Sequence, residues 1–439
     1  MKLRNLGAFG AIVLMVGAAC TAGAPTSPPV SPGASAGASA GASAGASSRG
    51  TVKIGVDLPL SGGEVANGVP TRQGLELAVL EANEAGGVGG YMLELSIQDD
   101  AVNGVHDPDQ GASNAGILVA DPAVVGMVGP FNSNVARAII PVTNEAGLAQ
   151  CSPSNTGVDL TKEGSEVYRP NNPEQRNYFR VATPDDIQGP AAAQYAYNDL
   201  EARSAYVIDD TEAFGVGVAN SFTAEFEDLG GSVVKRDGND FTTNQSFAAL
   251  LTAAGDFDVV FFGGTQVTGG GQLRKDMGTA GLLEIPFVGP DGTTDLQEGG
   301  QEGAMITLAG VENSENVHGT VAGIHDIPDP EAFAAAYSAE FDEQPGAYSA
   351  LAYACTQALI GAIEGSADTA TDMAALREAV RAHIFGGNTY ETVLGTLNFD
   401  ENGDSSQKFI SFYKTDTELN DGTGGWVFVR QEDFAEIAP

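Results

Sequence analysis

Two short polar loops hold the residues best suited to chemistry: Gly129-Pro130-Phe131-Asn132-Ser133 and Ser152-Pro153-Ser154-Asn155-Thr156. Together they offer hydroxyls, side-chain amides and backbone N–H groups. That set suits a small anion such as a carboxylate, because hydrogen bonds to an ionised acceptor are the strong ones. A plainer reading, two βα turns capped by Ser and Asn, stays open at this point. Covalent catalysis needs a nucleophile with a base beside it, or paired carboxylates. Ser133 has no evident His partner in the sequence, and Asp99-Asp100 and Asp209-Asp210 read as turn and hinge caps. No enzyme activity is therefore expected. His106, His318, His325 and His383 are scattered, with no Cys or His at ligand spacing, so no metal centre is expected. The stretch Asp400-Glu401-Asn402-Gly403-Asp404 lacks the glycine and the late Glu of a calcium loop and reads as a polar turn. Glycine runs near Gly263 and Gly269 fit neither a phosphate loop nor a dinucleotide fingerprint, and no cofactor is expected.

The two loops need a frame that brings them together. Val124–Val128 and Leu148–Cys151 are short apolar runs of the kind a buried parallel strand needs, and 134–146 joins them with helical periodicity. In such a βαβ unit both loops fall at the carboxyl ends of strands, where open sheets bind ligands, and a helix N-terminus stands behind the first. The alternation continues on either side. Val52–Leu58 and Tyr91–Gln98 read as strands, with a turn at Pro59–Asn67, a helix over Arg72–Ala85 ended by Gly86-Gly87, and a second helix over Pro108–Ala120. After a polar stretch the pattern restarts. Strands are expected at Ser204–Ile208, Ser232–Lys235, Phe257–Phe262 and Ile285–Val288, and helices at Phe214–Leu229, Asn244–Ala254 and Gln272–Ala280. Helices near Pro330–Phe341, Tyr348–Glu364 and Asp372–Ala382 precede late strands between Gly395 and Val429. The fold class is α/β: two Rossmann-like lobes with parallel-sheet cores, crossed by several linkers, with a ligand cleft at the hinge.

At 439 residues the chain is long enough for two or three domains, and its net charge of −38 excludes nucleic acid and anionic membrane surfaces as partners. Lys2 and Arg4, an apolar run over Leu6–Val16 and small residues before Cys20 resemble a bacterial lipoprotein signal, with Cys20 the lipidated residue. Gly17 departs from the Leu usual three positions before that Cys; simple secretion is the alternative. Residues 21–50 are Ala, Gly, Ser and Pro, the composition of a flexible tether. The body is then expected outside the cytoplasm, held by lipid at the outer face of the bacterial cell membrane.

The body resembles the type I periplasmic binding proteins, and within them the substrate-binding proteins of branched-chain amino acid ABC transporters, the leucine/isoleucine/valine group. The segments that carry the likeness run from about Val52 to Val429. They include IGVDLPLSGG, QGLELAVLEANEAGGVGG, VGPFNSNVARAIIP, SPSNTGVDLT, FRVATPDDIQGPAAAQY, VIDDTEAFGVGVA, FFGGTQVTGGGQLRKDMGTAGL, FVGPDG and LGTLNFDENGD. The resemblance implies a first lobe of 51–183 with 326–392 and a second of 184–325 with 393–439. It implies that Ser133 holds a ligand carboxylate, that Asn155 and Thr156 offer backbone groups and a hydroxyl, and that Asp291 pairs with an ammonium. A zwitterion leaving water needs partners for both charges. Four positions depart from the family pattern. Phe214 stands where Tyr is common, Thr265 (followed by Gln266) where an aromatic is frequent, Asp291 where branched-chain binders have Glu, and Asn67 where an aromatic can lie. They point to a cleft more polar than a leucine site, for a polar amino acid, an amide or a small carboxylate. The partners implied are a small-molecule ligand and an ABC permease; a sensory receptor of the same fold is the alternative, and a neighbouring kinase or cyclase gene would favour it. Cys151 and Cys355 could pair in an oxidising compartment, although two separate buried thiols is the reading preferred here.

Overall fold

The computed structural model describes residues 49–435. The signal segment, Cys20, most of the tether and the last four residues lie outside the described residues. Apolar runs become strands of two sheets. The first has five parallel strands in the order Met92–Asp99, Thr51–Leu58, Val124–Val128, Ala149–Ser152, Tyr178–Arg180. Val124–Val128 is buried along its whole length, as a strand covered on both faces must be. On one face Leu118 of helix Pro108–Ala120 and Val135 and Ile139 of helix Ser133–Glu145 pack with Val124 and Met127. On the other, helices Val65–Glu84 and Ser349–Ala367 cover Val52, Ile54, Val125 and Val128. Each such fully buried aliphatic side chain contributes about 1.5–3 kcal/mol from water exclusion.

The second sheet has seven strands: Gly425–Asp433, Phe409–Asp416, Val317–Val321, Phe287–Gly289, Val259–Gly263, Ser204–Asp209 and Ser232–Gly238. The two latest strands run antiparallel to their neighbours and the rest are parallel. Phe222 stacks on Phe261 at 4.0 Å between ring centroids, inside a core completed by Phe226 and Val259. The two-sheet α/β frame matches the expectation from sequence.

The chain passes between the sheets after Tyr178–Arg180, after Val317–Val321 and before Phe409–Asp416. These passages are laced together: Thr183 N–H donates to the Ala322 carbonyl (2.9 Å), its hydroxyl to the Phe409 carbonyl (2.8 Å), and the Ser411 hydroxyl to the Gly323 carbonyl (2.8 Å). The hairpin Thr389–Thr392 and Gly395–Asn398 puts Tyr390, Leu394, Leu397 and Phe399 into the first core. The lobe boundary expected at 392–393 thus falls inside an element that packs on the first sheet.

Other elements depart from the sequence reading. The first helix begins at Val65, not Arg72, so Asn67 lies in its first turn and not in a loop. Pro70 lies inside this helix and cannot donate a backbone hydrogen bond to the Ala66 carbonyl. Gly68 permits the tight entry, since a Cβ there would sit 1.8 Å from the Pro59 carbonyl oxygen. The helix expected at Asn244–Ala254 shrinks to Ala248–Ala253, because Asp240 and the Asn239–Asn244 pair hold the preceding residues in turns. Strands Tyr178–Arg180 and Val317–Val321 and helix Asp185–Gln194 were not assigned from the sequence.

The preferred reading of Cys151 and Cys355 as separate thiols is overturned. They form a disulfide with Cα atoms 5.8 Å apart, across 204 residues of chain. Helix Ser349–Ala367 lies directly on strand Ala149–Ser152, and the bond fastens one to the other. Closing a loop of this length stabilises by more than about 4 kcal/mol in the chain-entropy account.

Candidate functional site

The two loops meet at the carboxyl ends of adjacent strands. Gly129 starts the first at φ +113, and a Cβ there would lie 2.1 Å from the Asp57 carbonyl oxygen, so only glycine lets the loop turn this close to strand Thr51–Leu58. Ser133 opens helix Ser133–Glu145, and its Oγ accepts from Gly157 N–H at 3.2 Å, tying the loops together. The Ser154 hydroxyl and the Asn155 side-chain amide both donate to the Phe131 carbonyl, at 2.8 and 2.6 Å. Beneath them Arg180 donates to the carbonyls of Asn155 (3.3 Å) and Gly157 (2.7 Å) and to Thr161 Oγ1 (2.6 Å), and pairs with Asp404 at 2.7 Å. Both charges are buried. Burial pushes the Asp404 carboxyl up, but the Arg180 guanidinium, helped by Lys408, outweighs it and holds the group at about 2.

These loops form one wall of a narrow cavity, with a volume of about 20 Å³ between the lobes. Asn132, Ser133, Asn134, Ser154 and Thr156 face Glu212, Phe214, Thr265 and Asp291 of the second lobe across it. Asn132 Oδ1 is buried with no hydrogen-bond partner, and the Thr156 hydroxyl lies beside the buried Asp185 carboxyl, which it can help hold. A buried polar atom without a partner costs about 1–3 kcal/mol, so Asn132 is poised for a polar guest.

Asp291 is the counterpart on the second lobe. Gln188 holds it twice, donating from Nε2 to Oδ1 (2.8 Å) and accepting the Asp291 N–H (2.9 Å). Tyr348, just before helix Ser349–Ala367 of the first lobe, donates its hydroxyl to Oδ2 across the cleft. Burial pushes the Asp291 carboxyl up to about 6, restrained by those two donors. Asp185 lies alongside, pushed up to about 8 by burial and then by the charge of Asp291.

A second cross-lobe contact closes the rim. His106 Nδ1 meets Glu64 Oε1 at 2.7 Å and Nε2 meets Glu212 Oε2 at 2.9 Å; Asn134 donates to the same Glu212 oxygen at 2.9 Å. Burial opposes charge on His106, but Glu64 and then Glu212 overcome it and raise its pKa well above 6.5. The imidazolium is therefore a clamp between an acid of each lobe.

Of the eight residues expected at the site, Ser133, Thr156, Phe214, Thr265 and Asp291 line one cavity. Thr265 also caps the helical turn after it by exchanging hydrogen bonds with Thr268. Asn155 does not line it: its amide is spent on Phe131 and on the Tyr178 hydroxyl (3.1 Å), making it a strut. Asn67 and Gln266 meet each other instead, at 3.2 Å across the lobes. Sequence reasoning missed Tyr348, Gln188, Asp185, Glu212, His106 and Asn134 as site residues, while Asn132 lies in the first of the two polar loops it singled out. Only the Asp-Asp pair after Pro184, inside a motif already noted, could have drawn attention. A wider opening between the lobes, about 490 Å³, is edged by exposed Glu298, Glu302, Asp342 and Glu343, and neither polar loop reaches it.

A model of the periplasmic binding protein family matches residues 51–417. The chain belongs to that family. This periplasmic binding protein is 30% identical over 370 residues to a Leu/Ile/Val-binding protein homolog of Brucella melitensis, covering 83% of this chain and 91% of the relative. It is 29% identical to the leucine-, isoleucine-, valine-, threonine-, and alanine-binding protein of Pseudomonas aeruginosa, covering 83% and 90%. Among solved structures it is similar to the branched-chain amino acid transporter substrate-binding protein LivJ of Streptococcus pneumoniae in complex with isoleucine. There the TM-score is 0.70 and the identity 25%, over 87% of this chain and 99% of that one. The expected fold and recognition stand, and the family is one of solute binders, not enzymes.

Proposed function

We propose that this chain is an extracytoplasmic receptor that captures a small amino acid, or a related zwitterion or amide, by lobe closure and presents it to an ABC permease. Its anchor is the lipid on Cys20. The observation that carries this reading is the opposition of two unlike groups across one closed cavity. Ser133 and Thr156, with the first turn of helix Ser133–Glu145, suit a carboxylate, while the buried acid Asp291 suits an ammonium. One zwitterion touching both lobes favours the closed state by its differential contacts. The relatives named for branched-chain amino acid binding support the ligand class and the transporter partner. Calorimetric titration of ligand-stripped protein tests it: an amino acid binds, its carboxylate-only and amine-only fragments do not, and Asp291→Ala weakens binding by roughly 2–5 kcal/mol. Undiminished affinity in that variant would refute the ammonium assignment.

A further inference from the structure

The part of the cavity lined by Asn132, Asn134 and Glu212 is polar where a hydrocarbon side chain would need apolar partners. Among the cavity residues only Phe131 and Phe214 are apolar side chains of any size. Asn132 is 7% exposed, lines the cavity, and its Oδ1 has no partner. Glu212 lines it too, held at Oε2 by His106 and Asn134 of the opposite lobe. One Asn134 amide N–H is spent in this way, and its Oδ1 accepts the Val135 N–H. The unspent acceptors on this wall are Asn132 Oδ1 and the second oxygen of Glu212, so a hydroxyl or primary amide can donate to both.

Resting on the amino-acid reading above, we propose that the ligand's side chain carries a hydrogen-bond donor, a hydroxyl or primary amide, which Asn132 and Glu212 accept. Phe131 and Phe214 cover the side chain's carbon atoms. Glu212 is positioned for this only when the lobes are closed, since two of its partners come from the first lobe. A branched hydrocarbon in the same place would bury the Asn132 oxygen without a donor and desolvate Glu212. A site built to hydrogen-bond a group rejects the analogue lacking it far more strongly than an apolar site rejects an added hydroxyl.

Near-isosteres separate this proposal from the reading it rests on. Ligand-stripped protein is titrated calorimetrically with threonine against valine, and with asparagine against leucine. The polar member of at least one pair binds tenfold or more tightly, and Asn132→Val reduces that ratio, with a melting scan confirming that the variant folds. Glu212→Gln, at a more open position, serves as the second variant and lowers the same ratio. Valine and leucine binding as tightly as their partners overturns the proposal while leaving amino-acid capture intact. No binding of any of the four overturns both.

Discussion

Arg180 and Asp404 are the perturbation with the clearest magnitude. Both side chains are at most 1% exposed and meet at 2.7 Å. The Asp404 carboxyl lies at about 2 against its usual 3.8. At 1.36 kcal/mol per unit this corresponds to about 2 kcal/mol of stability. Because the folded pKa is depressed, that contribution is present above the unfolded value and lost as pH falls from near 4 through 2. Breaking the pair costs more, since it strands a buried charge: Asp404→Asn or Arg180→Met should lose about 3–5 kcal/mol. On heating, that corresponds to a fall in Tm of roughly 4–6 °C for a chain of this size. The double variant Arg180→Met/Asp404→Leu removes both charges and should recover most of the loss, because an apolar pair replaces a buried ion pair at little cost. Ligand affinity splits the two single variants. Arg180 also supports the carbonyls of Asn155 and Gly157 that flank Thr156, so Arg180→Met weakens binding more than Asp404→Asn does. Differential scanning calorimetry with and without ligand reads both effects. Single variants melting within a degree of wild type, or a double variant no better than either single, would refute the reasoning.

Other perturbations give distinct outcomes. Tyr348→Phe removes the cross-lobe donor to Asp291 and leaves a buried carboxylate oxygen short of a partner; ligand affinity should fall by about 1–3 kcal/mol in titration, with Gln188 still in place. As pH drops through about 6, Asp291 takes a proton, so an ammonium ligand binds more weakly in calorimetry. The unliganded fold responds with the opposite sign: its Asp291 pKa is raised from 3.8 to about 6, so this group adds stability as pH falls across that interval. His106 is raised above 6.5, so the stability it contributes is complete below 6.5 and disappears only as pH rises through its higher folded value; Glu64, Glu212, Asp100 and Asp210 surround it. The Tm difference between wild type and His106→Gln should therefore stay constant through pH 6.5 and shrink only at higher pH. Reducing the Cys151–Cys355 bond lowers Tm without abolishing binding, because neither sulfur lines the cavity. Cys20→Ser shifts the protein from the membrane fraction to the soluble one on fractionation of expressing cells.

Ser133 and Thr156 were legible because local rules place them: an apolar run ends, a polar turn follows, and a helix starts behind it. Asp291 and Phe214 came from the family likeness, which carries turn positions that local periodicity cannot rank. Asn155 shows where such reasoning stops. Its amide looks the same in sequence whether it faces a ligand or the Phe131 carbonyl, and the partners that decide, Phe131 and Tyr178, arrive from neighbouring strands. Tyr348 and Gln188 were silent for the same cause: they reach Asp291 across separations of 57 and 103 residues, set by tertiary packing alone. The disulfide spans 204 residues and had no local signal.

The most direct test is a crystal structure of the protein with its amino acid bound. The account predicts the ligand carboxylate at the Ser133 and Thr156 hydroxyls, at ordinary hydrogen-bond distances of about 2.7–3.1 Å, and its ammonium on Asp291. A ligand bound in reverse, or seated instead in the wider opening edged by Glu298 and Glu343, would contradict it.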